Sequence, residues 1–459
     1  MSAKASRRLR TTLVVVLVLA ALYAAYRYTL HRMVESKLDA IRQQGYPVTL
    51  AELDKWYPQP PPGENAAEIY ENAFTRYTKW NNERDSVLPL ISHPNLPKRG
   101  APLSSDVREA IASHMADNQS AVELLHKAMA RKRCRYPVSY SAGYDTLVPH
   151  VNGVRQGARL LSLEAVWRSD EGDGEAAADS VAAAVALARS LENEPDGISQ
   201  LVRVAVLQMG ASSLEGALNC APFTDAELRD LYSIFTESEI TNTLTRAFVG
   251  EVAKNASFFG VPVDRQLSVM LPPPPEPSTF QYYFGRVPNK WYRRPQFDFL
   301  KASGLMEIDL FHYCSIMEKY LAASRLPPPE SLAVARSVDK EFGKLPGFCV
   351  VSRWLTCGGS GMSAYFVHEF SVTATLRCSR ASLAVERYRL ANGALPDSLD
   401  ALVPKFLNAV PTDPFNGQPL RYKRLAAGYV VYSVGEDGVD NGGTEGYGPG
   451  TDITFTVER

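Results

Sequence analysis

Hydrophobic positions along this chain follow three successive rhythms. From Leu13 to Tyr26 they are continuous, and beyond Arg27 they thin to a helical stripe at Leu30, Met33, Val34, Leu38 and Ile41. One helix is therefore expected to run from an apolar segment into a stem. From Gly45 to Gly63 the pattern lapses, and Pro58, Pro60, Pro61 and Pro62 impose an irregular, extended path. Helical spacing then returns. A helix is expected to start near Glu64 to Ala67, with Ile69, Ala73, Phe74 and Tyr77 on one face. Ser104-Ser105-Asp106 offers the N-cap of a second through Val107 and Ile111, and Asp117-Asn118 that of a third through Val122, Leu125 and Met129.

The clearest helical stretch is Val154 to Leu218, interrupted by the turn Gly172-Asp173-Gly174 and by a break from Pro195 to Gly197. Short turns and small residues at helix crossings predict antiparallel neighbours. Further helices are expected over Thr224 to Phe235, Ile240 to Phe258 and Phe299 to Leu321. Leu271 to Pro277 and Leu326 to Pro329 read as polyproline connectors. The aromatic run Phe280 to Tyr292, mixed with Arg286, Lys290, Arg293 and Arg294, either packs a loop onto the helices or forms a binding surface.

In the tail the rhythm changes again. Gly347 to Gly361 is rich in Gly and Cys and marks entry to a last domain. Phe366, Phe370, Leu376, Leu383 and Ala384 then make a helical stripe that Asn392-Gly393 ends with a left-handed cap. Leu420 to Tyr422, Tyr429 to Ser433 and Ile453 to Val457 read as short strands, with Ala427-Gly428 turning the first into the second. The expected fold is mainly α: a membrane and stem helix (1–45), a body of antiparallel αα-hairpins (46–345) and a small α+β domain with a short antiparallel sheet (346–459).

Composition narrows the setting. At 459 residues the chain is long for one core, and 45% hydrophobic with 22% charged residues is ordinary for a folded protein. A formal net charge of -1 gives no field for nucleic acid, so no such partner is expected. Lys4, Arg7, Arg8 and Arg10 precede the apolar run, which predicts a cytoplasmic N-terminus and a periplasmic or otherwise extracytoplasmic body. Tyr23, Tyr26 and Tyr28 fit an interfacial belt of an uncleaved single-pass anchor. A signal peptide cut after Leu22-Tyr23-Ala24 is the competing reading. The six cysteines are sparse and without zinc spacing; Cys349 and Cys357 bracket a loop short enough for a disulfide, and the others read as free thiols.

No catalytic signature is present. His368-Glu369 lacks a second histidine one turn on, and Gly358 to Gly361 lacks the glycine pattern of a nucleophile elbow. His312, Glu318 and His368 are the candidates for an enzyme assembled from distant residues. Arg246 and Glu251 are poorly spaced for a direct pair and are expected to bridge neighbouring helices instead.

The tail carries more. Glu386 to Gly393, Asp413-Pro414, Tyr432-Ser433, Gly435-Glu436-Asp437-Gly438 and Thr451-Asp452-Ile453 follow one another in an order that resembles the C-terminal head of the major pseudopilin of type II secretion systems. The resemblance implies a calcium ion held by the Val434 carbonyl and the Asp437 and Asp452 carboxylates. Asp440 is added because it lies in the same Gly-rich loop without a nearby Lys or Arg in sequence, and calcium takes six to eight oxygens. The prepilin Gly-Phe cleavage site is missing, so the resemblance implies a module rather than a pilus subunit. The leading functional expectation is a non-enzymatic, membrane-anchored structural or binding protein of the envelope, its helical body facing a protein partner. An extracytoplasmic hydrolase-like enzyme is the alternative.

Overall fold

The structure, a computed structural model, describes residues 3–78, 87–89, 99–270, 290–356, 361–446, 448 and 450–459. It is mainly helical, with a three-stranded antiparallel sheet near the C-terminus. The first helix, α1 (Ala3–Gln43), is unbroken. Among the described residues one helix is long and apolar enough to cross a membrane, and this is it, over Arg10–Gln43, with a mean hydropathy of 1.9 in its most apolar 18 residues. From Leu13 to Leu22 its large apolar side chains are exposed, whereas Leu30, Val34, Leu38 and Ile41 are buried. The same helix thus supplies a lipid-compatible segment and a strip of core.

Local signals explain the elements that follow. The stretch from Gly45 to Gly63, expected to be irregular, contains α2 (Leu50–Trp56), started by a reciprocal capping box between Thr49 and Glu52. α3 (Ala67–Phe74) packs on α5 (Gln119–Met129), and α4 (Ser105–Asp117) on α6 (His150–Asp170). Asn118 stands at the start of α5 but turns its side chain to Thr78 and the His114 carbonyl instead of capping the helix. α6, α7 (Gly174–Arg189) and α8 (Gly197–Cys220) form the most closely packed trio. Buried Ala177, Ala178, Ala182, Ala183, Ala184 and Ala188 let α7 approach both neighbours. Asp173 caps α7 through the Ala176 N–H, and a Thr224–Glu227 capping box starts α9 (Asp225–Glu237).

α10 (Thr243–Phe259) and α11 (Val263–Met270) precede the polyproline segment 271–277, which lies outside the described residues, as do residues 280–289 of the aromatic run. The single helix expected from Phe299 to Leu321 is two, α12 (Lys290–Ser303) and α13 (Leu305–Ala323), joined at Gly304. There φ is +83°, a region that glycine enters without strain. α13 runs beside α1 in the same direction: Arg27 pairs with Glu307, Lys37 with Glu318 at 3.0 Å, and Gln44 with Arg325 at 2.9 Å. α14 (Glu330–Phe342) and the short α15 (Val350–Leu355) follow. Asp309 of α13 holds the start of α15, accepting from the Val351 and Ser352 N–H groups and the Ser352 hydroxyl.

α16 (Ser363–Asn392) ends as expected, with the Gly393 N–H donating to the Arg389 carbonyl. It packs against α8, α9 and α14 and supports the sheet. Strands β1 (Arg421–Leu425), β2 (Gly428–Ser433) and β3 (Ile453–Glu458) lie in that order, Arg421 opposite Tyr432 and Val431 opposite Phe455. Buried Tyr429, Val431, Phe455 and Val457 complete a core that begins at Val34 and is continuous across residue 346. Cys134, Cys314, Cys349 and Cys378 are buried free thiols and Cys220 an exposed one; Cys357, the expected partner of Cys349, lies outside the described residues.

Candidate functional site

The outer strand of the sheet meets the helical body through side chains. Glu215 and Asn219 stand one turn apart on α8 and face β3. Glu215 accepts from the Thr456 N–H at 2.9 Å, and Asn219 accepts from the Glu458 N–H at 2.7 Å while donating to the Thr456 carbonyl at 2.9 Å. An open strand edge is thereby closed without another strand. Arg99 bridges Glu215 and Glu445 at 2.8 Å each and extends this junction into the loop before β3.

Beside the junction lies a cleft of about 1040 Å³. Its walls are Gln208, Ser212 and Glu215 of α8, Arg336 of α14, Ser371 and Thr375 of α16, and the segments Gly435 to Asp437, Glu445 to Gly446 and Thr451 to Phe455. Five carboxylates (Glu215, Glu436, Asp437, Glu445 and Asp452) face one lining cation, Arg336, which pairs with Glu436 at 2.8 Å. Burial pushes the Glu215 carboxyl up, whereas the Val439 and Gly450 N–H groups hold Asp437 below the usual carboxylate range. Arg99 engages Glu215 and Glu445 as Arg336 engages Glu436, so among the described residues the unpaired negative charge of the cleft sits at Asp437 and Asp452.

The four residues expected to hold calcium have different surroundings. Val434 is buried, and its N–H donates to Asp413 at 2.8 Å. Asp413 also accepts from the Ser433 hydroxyl at 2.9 Å, so two separated pieces of the tail pattern meet. Asp452 is buried and gathers the N–H groups of Asn441, Gly443 and Thr444, folding the Gly-rich loop around its carboxylate. Asp437 clips the other side through Val439 and Gly450. Asp440 points to Arg421 at 2.7 Å and to the Tyr432 hydroxyl at 3.2 Å. Sequence spacing hid this pairing, because Arg421 reaches the loop only across the hairpin. Among the described residues no group of three or more His, Cys, Asp or Glu side chains is placed to hold a metal ion. Asp437 and Asp452 nonetheless form no ion pair with a Lys or Arg among the described residues, unlike Asp440, Glu436 and Glu445.

The residues considered for catalysis do not converge. Glu318 is engaged by Lys37 on α1, His312 lies two turns earlier on α13, and His368 is exposed on α16. The most concentrated buried chemistry sits elsewhere, at the break before α8. Asp196 caps α8 through the Ile198 and Ser199 N–H groups and accepts from Lys254 at 2.5 Å; Lys254 also pairs with Glu251 at 2.9 Å. Glu251 accepts from the Gly197 N–H at 3.2 Å, so it bridges two helices as its spacing suggested, while Arg246 stacks over Trp56 at 5.5 Å. Burial works against the Lys254 ammonium, but Glu251 and Asp196 outweigh it and raise its pKa. Gly250 is required here, since a Cβ would run into the Pro195 carbonyl. Nearby, His150 meets Glu194 at 2.9 Å, and Arg203 forks onto Glu369 at 2.9 and 2.7 Å. Apart from Lys254–Glu251, one turn apart on α10, these pairings join residues 44 to 166 positions apart, which one-dimensional periodicity does not register. This network locks α8, α10 and α16 together.

Compared with family models, with curated proteins and with solved structures, the chain matches none.

Proposed function

We propose that this chain is a membrane-anchored, non-enzymatic binding protein whose body lies on the side of the membrane opposite Lys4 to Arg10, in the cell envelope. The observation that carries the reading is the acidic cleft between body and sheet. Its walls come from α8, α14, α16 and the loops around β3; the Glu215 and Asn219 junction fixes α8 to β3, and α16 packs on both α8 and α14. Fixed walls with an excess of carboxylates suit a basic polypeptide segment, drawn in by complementary charge. The order of motifs in the tail, by its resemblance to the pseudopilin head, is what supports a relation to secretion.

A photo-crosslinking residue at Ser371 or Thr375 in the cleft, compared with one at exposed His368, tests this in native membranes. The expected result is a discrete, salt-sensitive adduct from the cleft positions that Glu436→Gln with Asp437→Asn weakens. Equal adducts from all three positions would count against it.

A cation is the second reading. Asp437 and Asp452 close the same loop, pair with no Lys or Arg among the described residues, and keep acceptor capacity beyond the N–H bonds they receive. With the Val434 carbonyl they would be the residues to hold calcium, which would tie the loop ends together; Asp440 has Arg421 instead.

A further inference from the structure

Anchor and body meet at one corner. Tyr23 donates its hydroxyl to the Ala302 carbonyl at 2.5 Å, Tyr26 to that of Ser303 at 3.2 Å, and Arg27 donates to the Lys301 carbonyl at 2.6 Å and pairs with Glu307. These contacts surround Gly304, where a Cβ would run into Leu30. The anchor therefore packs directly on the backbone of the turn from α12 to α13, leaving no tether between membrane helix and body.

Length decides where that corner sits. From Arg10 to Arg27 the helix rises roughly 25 Å at ~1.5 Å per residue. The hydrocarbon of a bilayer is ~30 Å thick. With Arg10 among the headgroups of one leaflet, Arg27 falls about 5 Å short of the opposite boundary. A free guanidinium so near the boundary would snorkel out to the headgroups. Arg27 is paired, and its partners, Glu307 and the Lys301 carbonyl, belong to the body. The corner enters with it.

α12 has the surface for this. Pro295, Phe299 and Ala302, at i, i+4 and i+7, are exposed on one helical face that leads to Tyr23, and Phe299 is 63% exposed. The stripe, bordered by the exposed Arg294–Asp298 pair, adjoins the exposed apolar surface of α1 at Tyr23.

We propose that the α12–α13 corner is seated in the bilayer that α1 spans, with Phe299 inserted at the boundary between headgroups and acyl chains. The proposal rests on the anchor reading above. It turns a tethered body into one with a fixed depth and tilt, so that the cleft stands at a set height over the membrane.

The test uses the full chain in vesicles of phosphatidylcholine and phosphatidylglycerol. Phe299→Cys or, as the remote control, Val439→Cys carries an environment-sensitive NBD label in a Cys220→Ser, Cys357→Ser background. The label at position 299 is expected to emit at shorter wavelength and to be quenched by lipids spin-labelled near the headgroup, while the label at 439 stays water-like and unquenched. A water-like, unquenched signal at 299 in vesicles that retain the chain against alkaline carbonate would overturn the seating while leaving the anchor intact. A blue shift without lipid quenching would do the same, pointing to a protein covering Phe299. Carbonate extraction of the chain would overturn the anchor reading and this one with it.

Discussion

The Asn219 side-chain amide of α8 spans the edge of β3, accepting from the Glu458 N–H at 2.7 Å and donating to the Thr456 carbonyl at 2.9 Å. A strand edge is ordinarily satisfied by another strand; here one asparagine makes both bonds of a ladder step. Asn219→Ala leaves both backbone groups unmatched in a partly buried seam. The expected loss is about 1–3 kcal/mol of unfolding free energy. Urea denaturation of the full chain in detergent measures it, and an unchanged midpoint would show that the edge is satisfied some other way.

Lys254 sits between Asp196 and Glu251 in the joint before α8. Lys254→Met leaves the buried Asp196 and the half-buried Glu251 without their cation, which is expected to cost about 3–5 kcal/mol, with partial rescue by adding Asp196→Asn. Despite burial, Lys254 holds the Asp196 pKa below its ordinary 3.8. A depressed carboxyl stabilises the fold above that ordinary value and ceases to do so as pH falls through the folded value. Acid unfolding below about pH 4 should therefore lose this contribution in Lys254→Met.

Asp309 titrates the opposite way. Burial pushes its carboxyl up to about 6 despite the Ser352 hydroxyl and the Val351 and Ser352 N–H groups. A raised carboxyl pKa favours the folded state below the ordinary value of 3.8, and that advantage disappears as pH rises to about 6. The loss is on the order of 3 kcal/mol at ~1.4 kcal/mol per unit. Stability measured across this window should slope downward in the natural chain and run flatter in Asp309→Asn; equal slopes would show that Asp309 does not titrate there.

Calcium at the Gly-rich loop makes a ligand-linked prediction. At a free concentration ten times its dissociation constant, the ion stabilises by about 1.4 kcal/mol. A thermal melt with calcium and with chelator should differ, and Asp437→Ala or Asp452→Ala should remove the difference. Identical melts in the natural chain would remove calcium from the account and leave the N–H bonds around Asp452 as the loop's closure.

Cys220 is an exposed thiol at the end of α8 and reports which side of the membrane the body occupies. A maleimide that cannot cross the cytoplasmic membrane should label it from the outer side, with the signal lost in Cys220→Ala. Labelling only after that membrane is opened would place the body inside.

Period and punctuation carried much of the architecture. Gly172 to Gly174, the Pro195 break and Asn392-Gly393 mark helix ends because each acts through its own backbone, and the strands follow alternation and the Ala427-Gly428 turn. α2 was missed although Thr49 and Glu52 have capping-box spacing, since the surrounding prolines outweighed a seven-residue helix. The break at Gly304 was hidden by apolar residues that continue through it, and glycine alone does not announce a positive φ. The cleft was legible only in part. Asp437 and Asp452 stand out in sequence, but Glu215, Arg336 and Thr375 reach the same space from helices far along the chain. Of the ionic joint around Lys254 only the bridging role of Glu251 was legible, because Asp196 is 58 residues from Lys254.

The parallel course of α1 and α13 bears on biosynthesis. Lys37 and its partner Glu318 are separated by 281 positions. At about 5–20 residues per second, a ribosome takes roughly 15–60 s to make that interval. Over that interval Leu30, Val34, Leu38 and Ile41 have no helical partner to bury them. The nascent stem is thus an adhesive strip during translation, and a chaperone that shields it until α13 emerges would determine how much of the chain reaches the native state.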